Sequence, residues 1–164
     1  MDRLWTPWRY DYIKGAAEAK LSDDDICVLC WIRDARDDDE RNFVLHRARF
    51  NFVVLNIYPY TNGHLMVVPD EHTADLDAVA KETSDEMMDL AKRAQAALRT
   101  AYRPHGFNFG MNLGQSAGAG IAGHIHLHAL PRWSGDANFM TAVAETRVLP
   151  EDLPTTYRKL KALF

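Results

Sequence analysis

Three histidines alternate with apolar residues in the run His124-Ile125-His126-Leu127-His128-Ala129-Leu130. In an extended strand, successive side chains point to opposite faces. The three imidazoles then share one face, and Ile125, Leu127 and Ala129 fill the other. Histidine is the side chain suited to nucleophilic and acid–base work near neutral pH. The chemistry is therefore expected here. Alternate histidines on a strand can also chelate a metal, and the run by itself leaves both readings open.

The residues before the run bear on that choice. Gly110, Gly114, Gly118, Gly120 and Gly123 are five of the nine glycines in the chain. The stretch Gly114-Gln115-Ser116-Ala117-Gly118-Ala119-Gly120-Ile121-Ala122-Gly123 carries little side-chain bulk. Such a backbone turns sharply and can present N–H groups to an anion. A glycine-rich loop alone is a weak signal and more often a flexible connection. Joined directly to a histidine ladder, it is expected to hold a phosphate beside the imidazoles.

A second cluster lies far upstream. Cys27 and Cys30 are the only cysteines, spaced CxxC. In a reducing compartment this spacing points to metal binding or redox work rather than a structural disulfide. Two thiolates so spaced supply half of a tetrahedral zinc site, which two histidines distant in sequence would complete. A redox pair and two packed free thiols are the alternatives.

Several elements must position these groups. Residues 43–47 and 50–57 read as strands, the second rich in β-branched and aromatic residues. Tyr58 to Gly63 reads as a turn, with Asn62-Gly63 supplying positive φ angles. A third strand, His64 to Val68, ends at Pro69, so 50–68 is expected to be a hairpin. His64 is left as a wall of the pocket. Thr83-Ser84-Asp85-Glu86 fits a capping box with Thr83 as N-cap. The helix after it places Met87, Leu90, Ala91, Ala94, Leu98 and Ala101 at helical spacing and stops before Pro104. Met87 and Met88 are read as packing residues. Strands are expected at 106–113 and 123–130, the last ended by Pro131, and a short helix at about 151–164. Trp5, Trp8, Tyr10, Tyr12 and Ile13 form an aromatic cluster that packs on the body or on a partner. The runs Asp23 to Asp25 and Asp37 to Glu40 read as solvated loops. His46 and His105 are surface or packing residues. Strands, one long helix, then strands predict an α+β fold: an antiparallel sheet with helices on one face.

Bulk properties bound the function. The 164 residues fit one domain with a real core. A net charge of −4 with mixed signs argues against non-specific nucleic-acid binding, but not against a small phosphorylated ligand. No apolar run approaches the ~20 residues that span a membrane, and the N-terminus lacks a signal-peptide pattern. A cytoplasmic location is expected.

The run His124 to Leu130 matches the HxHxHxx pattern, with apolar x, of the histidine triad (HIT) superfamily, and the chain resembles that family. The segment Asn56-Ile57-Tyr58-Pro59-Tyr60-Thr61-Asn62-Gly63-His64-Leu65-Met66-Val67-Val68-Pro69 is similar to the family's nucleotide-binding hairpin. Leu4-Trp5-Thr6-Pro7-Trp8-Arg9, the CxxC pair and Pro131-Arg132-Trp133 resemble a subset near the Fhit-like branch, which cleaves diadenosine polyphosphates by hydrolysis or phosphorolysis. The resemblance covers most of residues 4–133.

It implies a HIT-like fold of about five antiparallel strands with helices packed on the sheet. One HIT domain would span 1–164: an N-terminal extension over 1–40, a nucleotide-binding core over 43–133 and a C-terminal extension over 134–164. His124, His126 and His128 would be the catalytic set. His126 would attack the α-phosphorus to form a nucleotidyl-histidine, and His128 would contact the phosphates. Asn56 would bind the ribose hydroxyls. Asn112, Gly118, Gly120 and Ile121 would line the phosphate side. The glycine loop is one residue longer than in Hint-type members, so Gln115 and Ser116 are not equated with their Gln-Ser pair. Relatives with the CxxC pair complete a structural zinc site with residues that correspond to His72 and His124. The substrate, a nucleotide or dinucleoside polyphosphate, would be bound as its Mg2+ complex, and a homodimer is implied. Two other readings remain: a Hint-type phosphoramidate or adenylate hydrolase, and a non-catalytic nucleotide-binding regulator.

Overall fold

The computed structural model describes residues 27–137 and 149–164. The aromatic cluster and the Leu4 to Arg9 segment lie outside the described residues. The apolar runs form strands β1 (Val44–Arg47), β2 (Asn51–Leu55) and β3 (Leu65–Pro69), with β4 (Gly106–Gly110) and β5 (Leu127–Arg132) further on. They make one five-stranded sheet in the order β1-β2-β3-β5-β4, antiparallel at each step.

Among the described residues, three helices flank the sheet: α1 (Val28–Asp34), α2 (Lys81–Tyr102) and α3 (Leu153–Lys161). Strand alternation divides the core in two. Leu45, Val53, Leu55, Leu65, Val67, Leu127 and Ala129 pack against Met87, Leu90, Ala94 and Leu98 of α2 and Leu160 of α3. Val44, Phe52, Val54, Met66 and Val68 point the other way, onto Leu29 of α1. Leu127 and Ala129 thus fill the helix side, as the alternation predicts. Helices on one face alone was the expectation, and α1 corrects it. Leu29 is an apolar anchor on a helix too short to be read from periodicity.

The ends of several elements differ from the sequence expectations. Strand β5 runs through Pro131, which stands opposite Phe107. It pairs with β3 only over Leu127 to Ala129, so past that point its β3 side is open and no N–H is needed there. Strand β4 stops at Gly110 rather than 113. The connection from β2 to β3 is a long loop in which Gly63, not Asn62, takes positive φ. A Cβ on Gly63 would stand 2.9 Å from Leu98 and 3.0 Å from Tyr102, so the loop lies directly on α2. Met88 is exposed, while Met87 is buried.

The capping box does not form. Helix α2 starts at Lys81 after Ala80, and Thr83 is buried within its first turn. Glu86 turns instead to the β1–β2 connection. Its carboxylate accepts from Arg49 N at 3.0 Å, Phe50 N at 2.8 Å and Asn51 Nδ2 at 2.8 Å. Burial pushes the Glu86 carboxyl up, but these bonds outweigh it and hold it below the ordinary range. A local cap therefore loses to a tertiary one that satisfies three donors.

The C-terminal helix is tied down at both ends. The Asp152 side chain caps α3 by accepting from Thr155 N. Glu151 accepts from Tyr102 Oη and Thr156 Oγ1 and pairs with Lys159. At the far end Lys161 Nζ donates to the carbonyls of Val44 and Leu45.

Glu86→Ala leaves the N–H groups of Arg49 and Phe50 without their acceptor and removes one of the two acceptors of the buried Asn51 amide, which keeps Thr83 O. It is expected to destabilise the fold by roughly 1–3 kcal/mol, read as a lower urea midpoint at unchanged slope.

Candidate functional site

The histidine run enters β5 from the glycine-rich loop. His128 lies in the strand opposite Met66 of β3 and Gly110 of β4. His124 and His126 precede the regular strand, and between them Ile125 N donates to Thr73 O at 2.8 Å. The run is thereby stitched to the segment that follows β3. All three imidazoles are buried, with His126 and His128 rings 4.7 Å apart edge to face.

Hydrogen bonds fix which nitrogen of each ring carries the proton. His126 Nδ1–H donates to the carbonyl of His124 at 2.9 Å. In the neutral ring Nε2 is then the bare nitrogen, the one able to attack phosphorus. The other chain starts in the β2–β3 loop. The backbone N–H of Tyr60 donates to His64 Nδ1 at 3.1 Å, so the neutral His64 ring carries its proton on Nε2. That Nε2–H donates to His128 Nδ1 at 2.9 Å. His128 is left with its proton on Nε2, a donor suited to a phosphate oxygen.

His64, left by the sequence as a pocket wall, is thus a partner of the triad. It stands two residues before Met66 and so on the same face. The pairing of β3 with β5 is what brings it to His128, and that pairing is not local in sequence. Burial first, then the neighbouring His128 and His126 rings, push His64 down to about 3. Burial, then His126, push His128 down to about 4. Both rings are neutral at physiological pH.

Asn56 follows β2 beside this network. Its Oδ1 accepts from Tyr58 N at 2.9 Å, shaping the loop, and its Nδ2 stands 3.4 Å from His64 Nδ1. The glycine loop holds a short 3-10 turn, Gln115–Ala117, with positive φ at Gly114 and Gly118. The Gly118 N–H is spent on the Gln115 carbonyl, and those of Ala117 and Ala119 on the Gly114 carbonyl. Gly120 and Ile121 follow that turn, with Ile121 partly buried on the α1 side of the sheet. Asn112 lies between β4 and the turn, half-buried.

The second cluster assembles across the fold. One ligand atom from each of Cys27, Cys30, His72 and His124 can lie within 4.8 Å of all the others. Cys30 Sγ is 3.2 Å from His72 Nδ1, and His124 Nδ1 is 3.4 Å from Cys27 Sγ and 3.5 Å from Cys30 Sγ. His124 Nε2–H donates to Pro69 O at 2.9 Å, which leaves Nδ1 bare toward the sulfurs. This is the outer-shell bond expected of a metal-ligating histidine. Burial, then the adjacent Cys27, push the Cys30 thiol up, and a divalent cation between the sulfurs would remove that repulsion. A tetrahedral S2N2 set suits zinc.

His46 and His105 stand apart, against Arg93 and Ser134 respectively. An unfolded histidine takes up a proton near pH 6.5, whereas His64 and His128 in the fold resist until about 3 and 4. The unfolded chain therefore binds more protons in that window, and stability falls as pH drops from about 6.5 toward 4. Denaturant midpoints measured across this range should show the loss. His64→Gln, which cannot take up the proton, should flatten the slope.

Known proteins similar to this chain identify its family. A family model described as HIT domain matches residues 39–135. The AP-4-A phosphorylase of Mycobacterium tuberculosis is 40% identical over 164 residues, covering 98% of this chain and 83% of that protein. The crystal structure of a Zn-bound histidine triad family protein from Mycobacterium smegmatis superposes with a TM-score of 0.67 at 32% identity, covering 84% of this chain and 91% of that one. A HIT family protein from Bacillus anthracis gives a TM-score of 0.60 at 28% identity, with 67% and 75% covered. The chain belongs to the HIT domain family.

Proposed function

We propose that this protein cleaves diadenosine polyphosphates through a nucleotidyl-histidine on His126, with inorganic phosphate as the acceptor. The observation that carries the reading is the His126 ring itself, held by the His124 carbonyl with Nε2 bare. The name of the M. tuberculosis relative, an AP-4-A phosphorylase, supports both the substrate and the acceptor.

In the first step Nε2 of His126 bonds to the α-phosphorus. The bond from phosphorus to the bridging oxygen breaks, and its electron pair leaves with the polyphosphate. In the second step an oxygen of inorganic phosphate attacks the same phosphorus, the P–N bond breaks, and ADP departs. Splitting one displacement in two is the gain of covalent catalysis. His128 donates Nε2–H to a phosphate oxygen, and the loop N–H groups of Gly120 and Ile121 add to it. Gly118 and Asn112 shape that side of the pocket, and Asn56 holds the ribose hydroxyls. The polyphosphate is taken as its Mg2+ complex.

Cys27, Cys30, His72 and His124 hold a structural zinc ion. Its four protein ligands leave no open position, so it braces the run that carries His126 and takes no part in the reaction. The chain is read as one HIT domain with N- and C-terminal extensions. Among the described residues β4 is the last strand on its side of the sheet, which supports a homodimer in which two sheets continue each other. Two thiols without a disulfide suit the cytoplasm, and no described helix is long and apolar enough to cross a membrane.

Incubation with diadenosine tetraphosphate, with and without inorganic phosphate, tests the reading. ADP and ATP formed only with phosphate are expected. AMP and ATP without phosphate would make the protein a hydrolase. Turnover of a nucleoside phosphoramidate alone would make it Hint-type, and binding without turnover a regulator. His126→Ala should abolish turnover with binding retained, because it removes a chemical route rather than a contact. More than a few per cent residual activity would rule out the covalent route.

Elemental analysis of protein purified without chelator should give about one zinc per chain. Cys27→Ser should lose the metal and melt earlier, with turnover of still-folded molecules falling less than stability.

A further inference from the structure

Among the described residues, nothing packs on the side of β4 that shares the histidine face. Phe107 packs into the helix-side core, and Phe109 lies 6.3 Å from it on the same side of the strand. Gly106, Asn108 and Gly110 therefore point to the other side, where the register sets Gly110 against His128, Asn108 against Leu130 and Gly106 against Arg132. A Cβ built on Gly106 or Gly110 would meet no atom within 4 Å. Asn108 and Gly110 are exposed. The result is a flat strip one strand spacing, about 4.8 Å, from the line of His128 to Arg132.

The far end of the strip carries polar groups. Arg132 Nη1 donates to Asn108 Oδ1 at 2.8 Å, and Arg132 Nε and Nη2 donate to the Asp136 carboxylate at 2.6 and 2.8 Å. Asn108 Oδ1 is thereby occupied, which leaves its Nδ2 to donate outward. Arg132 lies roughly 13 Å along the strand from His128.

We propose that this strip is the subsite for the second nucleoside of a dinucleoside polyphosphate, the half that leaves with the polyphosphate chain. The proposal rests on the function proposed above and extends it to the half of the substrate that His126 does not retain. Three observations point to that occupant. The strip begins directly opposite His128, the imidazole aimed at the phosphates. Asn56, which holds the first ribose, follows β2 on the opposite side of β5, so a chain of phosphates passing over His126 and His128 runs toward β4. Two glycines give a planar base an unobstructed backbone to lie on, and Asn108 Nδ2 offers a donor to a purine ring nitrogen of the kind asparagine recognises.

The test compares two compounds that share the first adenosine and all four phosphates. Diadenosine tetraphosphate carries the second adenosine and adenosine 5′-tetraphosphate does not. The wild-type protein is expected to favour the former in kcat/KM by about tenfold, the change that about 1.4 kcal/mol of added binding gives. Asn108→Leu and Gly106→Val should each bring that ratio to within about twofold of one by lowering only the rate on the dinucleotide. Neither Gly106 nor Gly110 has a positive φ, so Gly106→Val introduces no backbone strain, and thermal melts of both variants verify folding.

An unchanged ratio in both variants overturns the proposal. So does a wild-type ratio of one, which leaves the proposed function standing, whereas cleavage of neither compound by wild-type protein overturns that function as well. Sedimentation of the variants gives the remaining outcome. If the ratio changes only together with the oligomeric state, the strip is covered by a second copy of the chain, and the subsite is wrong.

Discussion

The bond from His126 Nδ1–H to the carbonyl of His124 is the constraint on which the site depends. A free imidazole exchanges its proton between nitrogens and rotates, and either change would take the bare nitrogen away from phosphorus. The carbonyl prevents both, provided it does not move itself. His124 is held by its ring at Pro69 O, by the sulfur pair facing Nδ1, and by the bond from Ile125 N to Thr73 O. One residue therefore belongs to two structures: its side chain to the Cys and His cluster, its main chain to the catalytic ring. The two are adjacent because the histidine run alternates.

The same crowding governs charge. His64, His126 and His128 form a chain of touching rings, and His124 sits two residues away. Two positive charges about 5 Å apart repel by roughly 3 kcal/mol at an effective dielectric of about 20. Burial adds to that repulsion, and His64 and His128 are pushed down to about 3 and about 4. The opposite face of the sheet has no such tension: Leu127 and Ala129 sit among the side chains of α2.

Much of this was legible in the residues. Period-two alternation placed the imidazoles on one face and Leu127 and Ala129 on the other, and the helical spacing from Met87 to Leu98 found α2 and its buried stripe. The likeness to CxxC relatives named His72 and His124, which the fold brings to the sulfurs. The misses share a cause. Glu86 left its capping role for donors 35 to 37 residues away, and Pro131 stayed in a strand whose neighbour had already ended. Helix α1 shows too little periodicity in seven residues. His64 owes its place to the β3–β5 pairing. Each depends on which strands are neighbours, and that order, β3 beside β5 across a 22-residue helix, is set by the whole fold rather than by any window of sequence.

The hydrogen bonds through His64 all run in one direction, from Tyr60 N to His64 Nδ1 and from His64 Nε2 to His128 Nδ1. A peptide N–H stands at the inner end, and it has no proton to release. The chain is therefore a closed wire: nothing behind His128 can refill it if it gives its proton away. In the reaction proposed above, His128 is then a fixed dipole aimed at the phosphates, and the departing polyphosphate draws any proton it needs from the solvent side. The loop that ends at Gly63 thus decides which direction protons can travel at a phosphorus atom it never touches.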